Sequence, residues 1–133
     1  MPLFVAIVPV LRVSDLERSV AWYRDNLGFA ADEGQDASQG FILRRDATEL
    51  MLRRAASPLT RLRDSYQWDV YIRLAGEELT VLLDHARRRT PLVRGPELMP
   101  SGAVEFELED PDGYRVCVAE VLSDPRGFPR AVA

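Results

Sequence analysis

The sequence predicts an α+β fold made of two βαβββ modules. An alternating apolar segment between Phe4 and Val13 leads into an amphipathic helix, and this helix stops at Gly28. A similar pattern recurs further along, because Arg12 and Arg73 stand 61 positions apart in matching surroundings and each precedes a helical stretch. Short segments of alternating polarity follow both helices, as expected of β-strands. The chain of 133 residues therefore contains two copies of one pattern.

The first helix has a start signal and a stop signal. Ser14 is the predicted N-cap, and Glu17, three residues later, completes a capping box. Gly28 can adopt the left-handed conformation that ends a helix, because it has no Cβ to clash. The predicted apolar face comprises Leu16, Val20, Tyr23 and Leu27. We therefore predict a helix from Leu16 to Leu27.

The remaining elements follow from alternation and turn signals. The strands predicted after the first helix are 29–33, 40–44 and 48–54, with turns at Gln35-Asp36 and Arg45-Asp46. The second module is predicted to consist of a strand at 67–74, a helix at 77–89 and strands at 92–94, 103–109 and 114–121. Asp110-Pro111-Asp112-Gly113 is a strong turn signal between the last two strands.

These elements predict one domain over residues 1–121. Its parts are module one at 1–54, a connection at 55–66 and module two at 67–121. Residues 122–133 contain two prolines and a glycine and are predicted to form an irregular tail over the surface.

Alternation along the strands also assigns side chains to two faces. In the strand that opens the second module, Trp68 is predicted to face the helix and Tyr71 to face the other way. The polar residues predicted on that opposite, front face include Asp69, Tyr71, Arg73, Glu105, Glu107 and Glu109. Such a face can simply be solvated, or a curled sheet can turn it into a cleft. The sequence leaves both interpretations open.

Composition excludes several classes of function. Cys117 is the single cysteine, so no internal disulfide is possible, and the expected location is the reducing cytoplasm. The net charge of −4, with both signs interspersed, argues against nucleic acid as a partner. Charges interrupt every apolar run well before about 20 residues, so no membrane partner is expected. All 17 basic residues are arginine, which excludes lysine chemistry such as Schiff-base formation.

Three stretches carry a resemblance to a known family. They are VPVLRVSDLERSVAWYRDNLGF at 8–29, ELML at 49–52 and EDPDGYRVCVAE at 109–120. Together they resemble the vicinal-oxygen-chelate superfamily of glyoxalase I, extradiol dioxygenases and bleomycin-resistance proteins, and the first is most similar to the bleomycin-resistance branch. The resemblance implies two modules whose curled mixed sheets surround a shared cleft, with helices on the outer face. It also implies a homodimer.

The resemblance further implies four positions at which metal-using members place His or Glu ligands. In this sequence those positions hold Val8, Met51, Asp69 and Cys117. Valine cannot coordinate a metal, and methionine is a poor ligand for hard or borderline cations. We therefore expect no metal and no other cofactor.

Other side chains give little support to catalysis. His85, the one histidine, lies on the predicted second helix and away from the front face. Cys117 is interpreted as a small buried residue, because no histidine is placed to activate it. Asp69, Glu105 and Glu107 could gather as carboxylates, but paired acids alone do not establish acid–base chemistry.

Our first hypothesis is a metal-free protein that sequesters a polar or cationic small molecule, in the manner of an antibiotic-resistance protein. Bleomycin itself is not expected, because residues 100–106 lack the tryptophan that the resemblance places before the seventh strand. The alternatives are a lyase, isomerase or dioxygenase-like enzyme with an altered centre, and a vestigial partner or sensor module. The predicted ligand-binding residues are Val8, Met51, Asp69, Tyr71, Arg73, Glu105, Glu107, Arg115 and Cys117. The expected partners are this ligand and a second copy of the chain, packed near Phe4 to Val10.

Overall fold

The computed structural model describes residues 1–32, 40–57 and 68–131. The chain divides into two compact units, Met1–Thr60 and Arg61–Ala133. The described elements of the first unit are β1 (Val10–Val13), α1 (Leu16–Leu27), β2 (Ala30–Ala31), β3 (Gly40–Arg45) and β4 (Thr48–Arg54). Those of the second unit are β5 (Val70–Arg73), α2 (Leu79–Arg87), β6 (Arg94–Leu98), β7 (Val104–Glu109) and β8 (Arg115–Glu120). The predicted α+β class with two modules is confirmed.

Both sheets have the same strand order, which explains the internal repeat. The first sheet is ordered β1-β4-β3-β2 and the second β5-β8-β7-β6. In each sheet, the strand before the helix pairs in parallel with the last strand, and the other pairs are antiparallel. Val10 pairs with Met51, and Tyr71, 61 positions after Val10, pairs with Cys117. The sequence repeat is therefore a structural repeat.

Each helix packs its apolar stripe on the sheet of its own unit. Helix α1 contacts β3 and β4, and α2 contacts β8. The buried apolar side chains of the first unit include Leu11, Val13, Leu16, Tyr23, Leu27, Leu50 and Leu52. Those of the second unit include Leu79, Leu83, Ala86, Val104, Phe106, Leu108, Val116 and Val118. Burial of this apolar surface is the main source of stability in each unit.

The predicted bounds of α1 are observed, but the predicted N-cap is wrong by one residue. Asp15, not Ser14, is the N-cap, and its Oδ1 accepts a hydrogen bond from Arg18 N at 3.1 Å. A carboxylate at this position also interacts favourably with the positive end of the helix dipole. Gly28 ends the helix as predicted, because its φ of 71° lies in the left-handed region and its N–H donates to Arg24 O at 3.0 Å.

Several elements are shorter than predicted. Strand β1 begins only at Val10, and residues 1–9 form no regular secondary structure. Helix α2 begins at Leu79 rather than Glu77, because Gly76 and Glu77 have φ values of 91° and 60°, outside the right-handed helical region. The predicted turn at Gln35-Asp36 and most of the predicted connection lie outside the described residues.

The carboxylate of buried Glu120, at the end of β8, caps the N-terminus of α2. Its Oε2 accepts a hydrogen bond from Glu77 N at 2.5 Å, and its Oε1 accepts one from Leu79 N at 3.0 Å. The side chain of Glu78, the N-cap of α2, makes no capping hydrogen bond. A residue from the last strand therefore satisfies the amides that a local cap satisfies in α1.

The turn before β8 is held by a side chain and the tail by backbone hydrogen bonds. Asp110 Oδ1 accepts hydrogen bonds from Asp112 N and Tyr114 N, each at 2.9 Å, which confirms the predicted turn. The tail pairs with the end of β6, where Leu98 O accepts a hydrogen bond from Ala131 N at 2.8 Å.

Neither helix in the described ranges is long and apolar enough to span a membrane.

Candidate functional site

Strand register brings the polar residues of the second sheet together on its front face. Three cross-strand rows form this face. They are Arg115–Glu109, Tyr71–Cys117–Glu107–Arg94 and Arg73–Ala119–Glu105–Glu97. Because side chains alternate along each strand, residues paired in this way point to the same side. The front face therefore combines charged and aromatic side chains from all four strands.

Arg94 on β6 is the centre of the front face. It donates from Nη1 to Glu97 at 2.6 Å, from Nη2 to Glu105 at 2.9 Å and from Nε to Glu107 at 2.9 Å. Its Nη2 also lies 3.7 Å from the sulfur of Cys117. Burial opposes the charge on Arg94, but the hydrogen bonds to the three carboxylates outweigh it and raise the pKa of Arg94. The guanidinium is therefore a permanent counter-ion to three acids.

Glu105 connects Arg94 to Tyr71 across the sheet. Its Oε1 accepts from Arg94, and its Oε2 accepts from the Tyr71 hydroxyl at 2.8 Å. Tyr71 crosses over β8 to reach it, where Cys117 and Ala119 are small. Burial and the hydrogen bond to Glu105 raise the pKa of Tyr71 to about 12. Both oxygens of Glu105 are therefore engaged, and its side chain is only 3% exposed.

Arg115 extends the charged network to the other end of the face. Its Nη1 lies 3.7 Å from Glu107 Oε1, and its Nε lies 3.4 Å from Glu109 Oε1. Its backbone N–H donates to Asp69 Oδ2 at 2.8 Å, so Asp69 holds the start of β8. The network thus contains four glutamates, at 97, 105, 107 and 109, against two arginines. Its formal charge is negative.

An exposed aromatic pair lies at the edge of the front face. The ring centroids of Trp68 and Tyr71 are 5.0 Å apart and their planes are inclined by 41°. Trp68 is 44% exposed and Tyr71 is 39% exposed. The prediction that Trp68 packs beneath the helix is wrong, because β5 begins only at Val70 and strand alternation does not extend back to residue 68.

Cys117 lies beneath this network and is fully buried. Burial, followed by the negative charge of Glu105, raises the pKa of its thiol. A thiol in this environment stays protonated and is a poor nucleophile. The interpretation of Cys117 as a small packing residue agrees with this geometry.

The four positions of the family's metal ligands do not form a suitable donor set. Val8 has no donor atom, and Met51 offers only a thioether, paired beside Val10 in the first sheet. Asp69 accepts the Arg115 amide, and the Cys117 sulfur faces Arg94. Within residues 1–32, 40–57 and 68–131, no group of three or more His, Cys, Asp or Glu side chains is arranged to hold a metal ion. These residues do not fit the metal that other family members use.

The predicted site residues therefore separate into groups. Tyr71, Glu105, Glu107, Arg115 and Cys117 belong to the network that surrounds Arg94. Arg73 lies at the end of β5 and lines a pocket there. Val8 and Met51 lie in the first unit.

Arg94, Glu97 and Trp68 were missed by the sequence analysis. Arg94 stands at the end of the strand predicted at 92–94, and the irregular pairing between Arg94 and Glu97 conceals which face β6 presents. The sequence signal that could have revealed Arg94 was the need to balance the charge of the glutamates on β7. The glutamates at alternate positions of β7 require an arginine on a neighbouring strand if they are buried.

Comparison with known proteins identifies the family. The model of the Glyoxalase/Bleomycin resistance protein/Dioxygenase superfamily matches residues 5–118. No curated protein sequence matches this chain.

Solved structures share the fold at low sequence identity. A glyoxalase/bleomycin resistance protein/dioxygenase from Alicyclobacillus acidocaldarius is 17% identical with a TM-score of 0.74, over 90% of this chain and 92% of that chain. Lactoylglutathione lyase from Agrobacterium tumefaciens is 20% identical with a TM-score of 0.68, over 90% and 96% of the two chains. A glyoxalase-related enzyme from Fulvimarina pelagi is 19% identical with a TM-score of 0.66, over 89% and 88%.

Proposed function

Because the chain belongs to the Glyoxalase/Bleomycin resistance protein/Dioxygenase superfamily, we propose that it binds a small molecule on the front face of its second sheet. The ligand is polar or cationic and has a planar part. The protein holds it stoichiometrically, by sequestration and without a metal, as proteins of the bleomycin-resistance type do. The donor chemistry of Val8 and Met51 supports the metal-free part of this proposal.

The aromatic pair of Trp68 and Tyr71 is the observation that carries the proposal. Large aromatic side chains with about two-fifths of their surface exposed are available to stack on a planar ligand. The face of an aromatic ring attracts cations, and tryptophan does so most strongly. The Tyr71 hydroxyl also donates a hydrogen bond to Glu105, so negative charge lies directly beside the ring. These properties favour a planar cation over a neutral or anionic compound.

The excess of carboxylates on the front face supports the same choice of ligand. Glu97, Glu105, Glu107 and Glu109 outnumber the arginines that contact them. An approaching cation is therefore attracted before it makes contact. An anion is disfavoured beside these four glutamates.

The occupied carboxylate oxygens favour binding over acid–base catalysis. A general base needs an oxygen within hydrogen-bond reach of the substrate proton. Both oxygens of Glu105 already accept hydrogen bonds, and Glu107 lies between Arg94 and Arg115. The arrangement resembles a fixed charged surface more than a set of free acids.

Fluorescence offers a direct test, because the chain contains two tryptophans, Trp22 and Trp68. In the Trp22→Phe variant, emission reports on Trp68 alone. We expect N-methylquinolinium, a planar cation, to quench this emission and to bind in calorimetry. Quinoline, which has the same rings without the fixed charge, should bind more weakly. Trp68→Ala should weaken binding of the cation about tenfold, since a cation–π contact contributes about 0.5–2 kcal/mol.

Two controls make the result interpretable. Trp22→Phe should bind the cation as the parent protein does, because Trp22 lies on α1 and packs against Tyr23. Equal affinity of Trp68→Ala and the parent, or equal binding of quinoline and N-methylquinolinium, would refute the proposed site. Metal analysis of the purified protein tests the metal-free part. A stoichiometric, tightly held divalent ion would instead support an enzyme.

A further inference from the structure

A pocket lies at one end of the front face, where β5 and β8 end and β7 begins. Its volume is about 290 Å³. The small side chains of Ala103 and Ala119 contribute to its lining, together with Tyr71, Arg73 and the loop at 74–77. Loop residue Gly76 has open space where a Cβ would lie. The pocket is therefore lined by small side chains on the sheet and is open to solvent at the loop.

The two carboxylates at this pocket already accept hydrogen bonds from the chain's own amides and a hydroxyl. Glu120 uses both oxygens to accept the amides of Glu77 and Leu79. The carboxylate of Glu77 accepts hydrogen bonds from the hydroxyl and the backbone N–H of Ser123, which lower the pKa of Glu77. Neither acid therefore requires a cationic ligand.

Arg73 is the exception among the charged residues of the pocket. Its side chain is exposed, and it makes no hydrogen bond or ion pair with the residues that the structure describes. Its charge lies close to Tyr71, where burial and Glu105 raise the pKa of the hydroxyl and Arg73 opposes the increase. The Arg73 guanidinium therefore lines the pocket without a partner among the described residues, whereas both carboxylates there already accept hydrogen bonds.

We infer that this pocket binds a small organic carboxylate, with Arg73 pairing with the carboxylate and Ala103, Ala119 and Val121 contacting an apolar body. The planar guanidinium matches a carboxylate in a bidentate geometry. The volume lies near the lower limit of ligand pockets, which hold compounds in about 300–1,000 Å³. A single-ring or short-chain acid is the appropriate size.

This inference does not rest on the proposed function. The cation site uses the exposed face of Trp68, whereas the carboxylate site uses Arg73. The two sites prefer opposite charges and share only Tyr71. A substitution can therefore abolish binding at one site and leave the other site intact.

Benzoate is the probe for this site, and benzamide is its control because it keeps the ring and lacks the charge. Titration of the ¹⁵N-labelled full chain with benzoate should shift the amide signals of Gly76, Ala103 and Ala119. The affinity should fall as salt is added, because the pairing charges are partly exposed. Arg73→Gln should weaken binding about tenfold, as expected for the loss of one charge-assisted pair. Arg12→Gln, at the equivalent position of the first module, should have no effect.

The same spectra show whether each variant is folded. Arg73→Lys keeps the charge without the planar fork and should bind benzoate with intermediate affinity. The inference is overturned if benzoate leaves these three amide signals unmoved, if benzamide binds equally well, or if Arg73→Gln keeps full affinity. Trp68→Ala should retain benzoate binding. Failure of N-methylquinolinium to bind, with benzoate still bound, would refute the proposed function and leave this inference standing.

Discussion

Replacing Arg94 by methionine tests how the front face of the second sheet is stabilised. Methionine keeps much of the length and the apolar stem of arginine but removes all three donors to Glu97, Glu105 and Glu107. Glu105 and Glu107 are each only 2% exposed, so water cannot readily replace the lost partner. The variant therefore leaves two buried carboxylates without their main counter-ion.

The expected loss follows from what each carboxylate retains. Glu105 still accepts a hydrogen bond from the Tyr71 hydroxyl, whereas Glu107 keeps, among the described residues, only Arg115 at 3.7 Å. Removing one partner of a buried ion pair typically costs about 3–5 kcal/mol, because the remaining charge is uncompensated. We expect a loss in this range. Since whole domains are stable by about 5–15 kcal/mol, Arg94→Met should be folded but marginal.

Urea unfolding followed by circular dichroism measures this loss as a lower midpoint at unchanged slope. Arg44→Met is the matched control, because Arg44 also contacts two acids, Asp32 and Glu49, but is exposed. Its loss should be far smaller. Adding Glu107→Gln to Arg94→Met should recover at least about 1 kcal/mol, since one buried charge is removed. The explanation fails if Arg94→Met costs no more than Arg44→Met, or if the second substitution recovers nothing.

Four further predictions follow from single features. Gly28→Val should lower the free energy of unfolding by about 1–3 kcal/mol, because the left-handed conformation disfavours β-branched residues; an equal loss for Gly127→Val, at a site without that constraint, would contradict this. Because the pKa of Tyr71 rises from 10.0 to about 12 on folding, the stability that its hydrogen bond provides should be complete below pH 10 and lost as the pH rises towards 12. The difference in unfolding free energy between the parent and Tyr71→Phe measures this, and a difference that does not change with pH would refute it. Iodoacetamide should label Cys117 only after unfolding, because burial raises the pKa of the thiol, and rapid labelling of native protein would show that the site is open. The exposed apolar side chains of residues 3–7 predict a homodimer, and light scattering that detects only 15.0 kDa particles would exclude it.

Local sequence patterns were sufficient to predict the elements whose structure depends on residues close together in the sequence. The strand predicted at 48–54 is observed with the same bounds, because a short apolar run is flanked there by polar residues and follows a turn signal. The stop at Gly28 and the turn at 110–113 were also predicted correctly, since each depends on backbone conformations that few residues adopt.

The candidate site was only partly predictable, because its assembly depends on register between distant strands. Glu105 and Glu107 were placed on the front face by alternation alone. The approach of Arg94 to both depends on how β6 pairs with β7, where the register shifts between Arg94 and Glu97. Trp68 was misplaced for a related reason, since nothing local shows that β5 begins two residues after it. Strand boundaries and cross-strand pairing are tertiary properties.

The capping of α2 by Glu120 has a consequence for the order in which the chain becomes structured during synthesis. Asp15 directly precedes α1, so its cap is available as soon as the helix leaves the ribosome. The amide of Leu79 must wait for a carboxylate 41 positions further along the chain. Because the first turn of a helix is unfavourable on its own, the nine residues of α2 stay frayed at their start until the final strand has been made and has joined its sheet. The two structural modules should thus complete their helices at different moments, the first as soon as its own residues are made and the second only after β8 has been made.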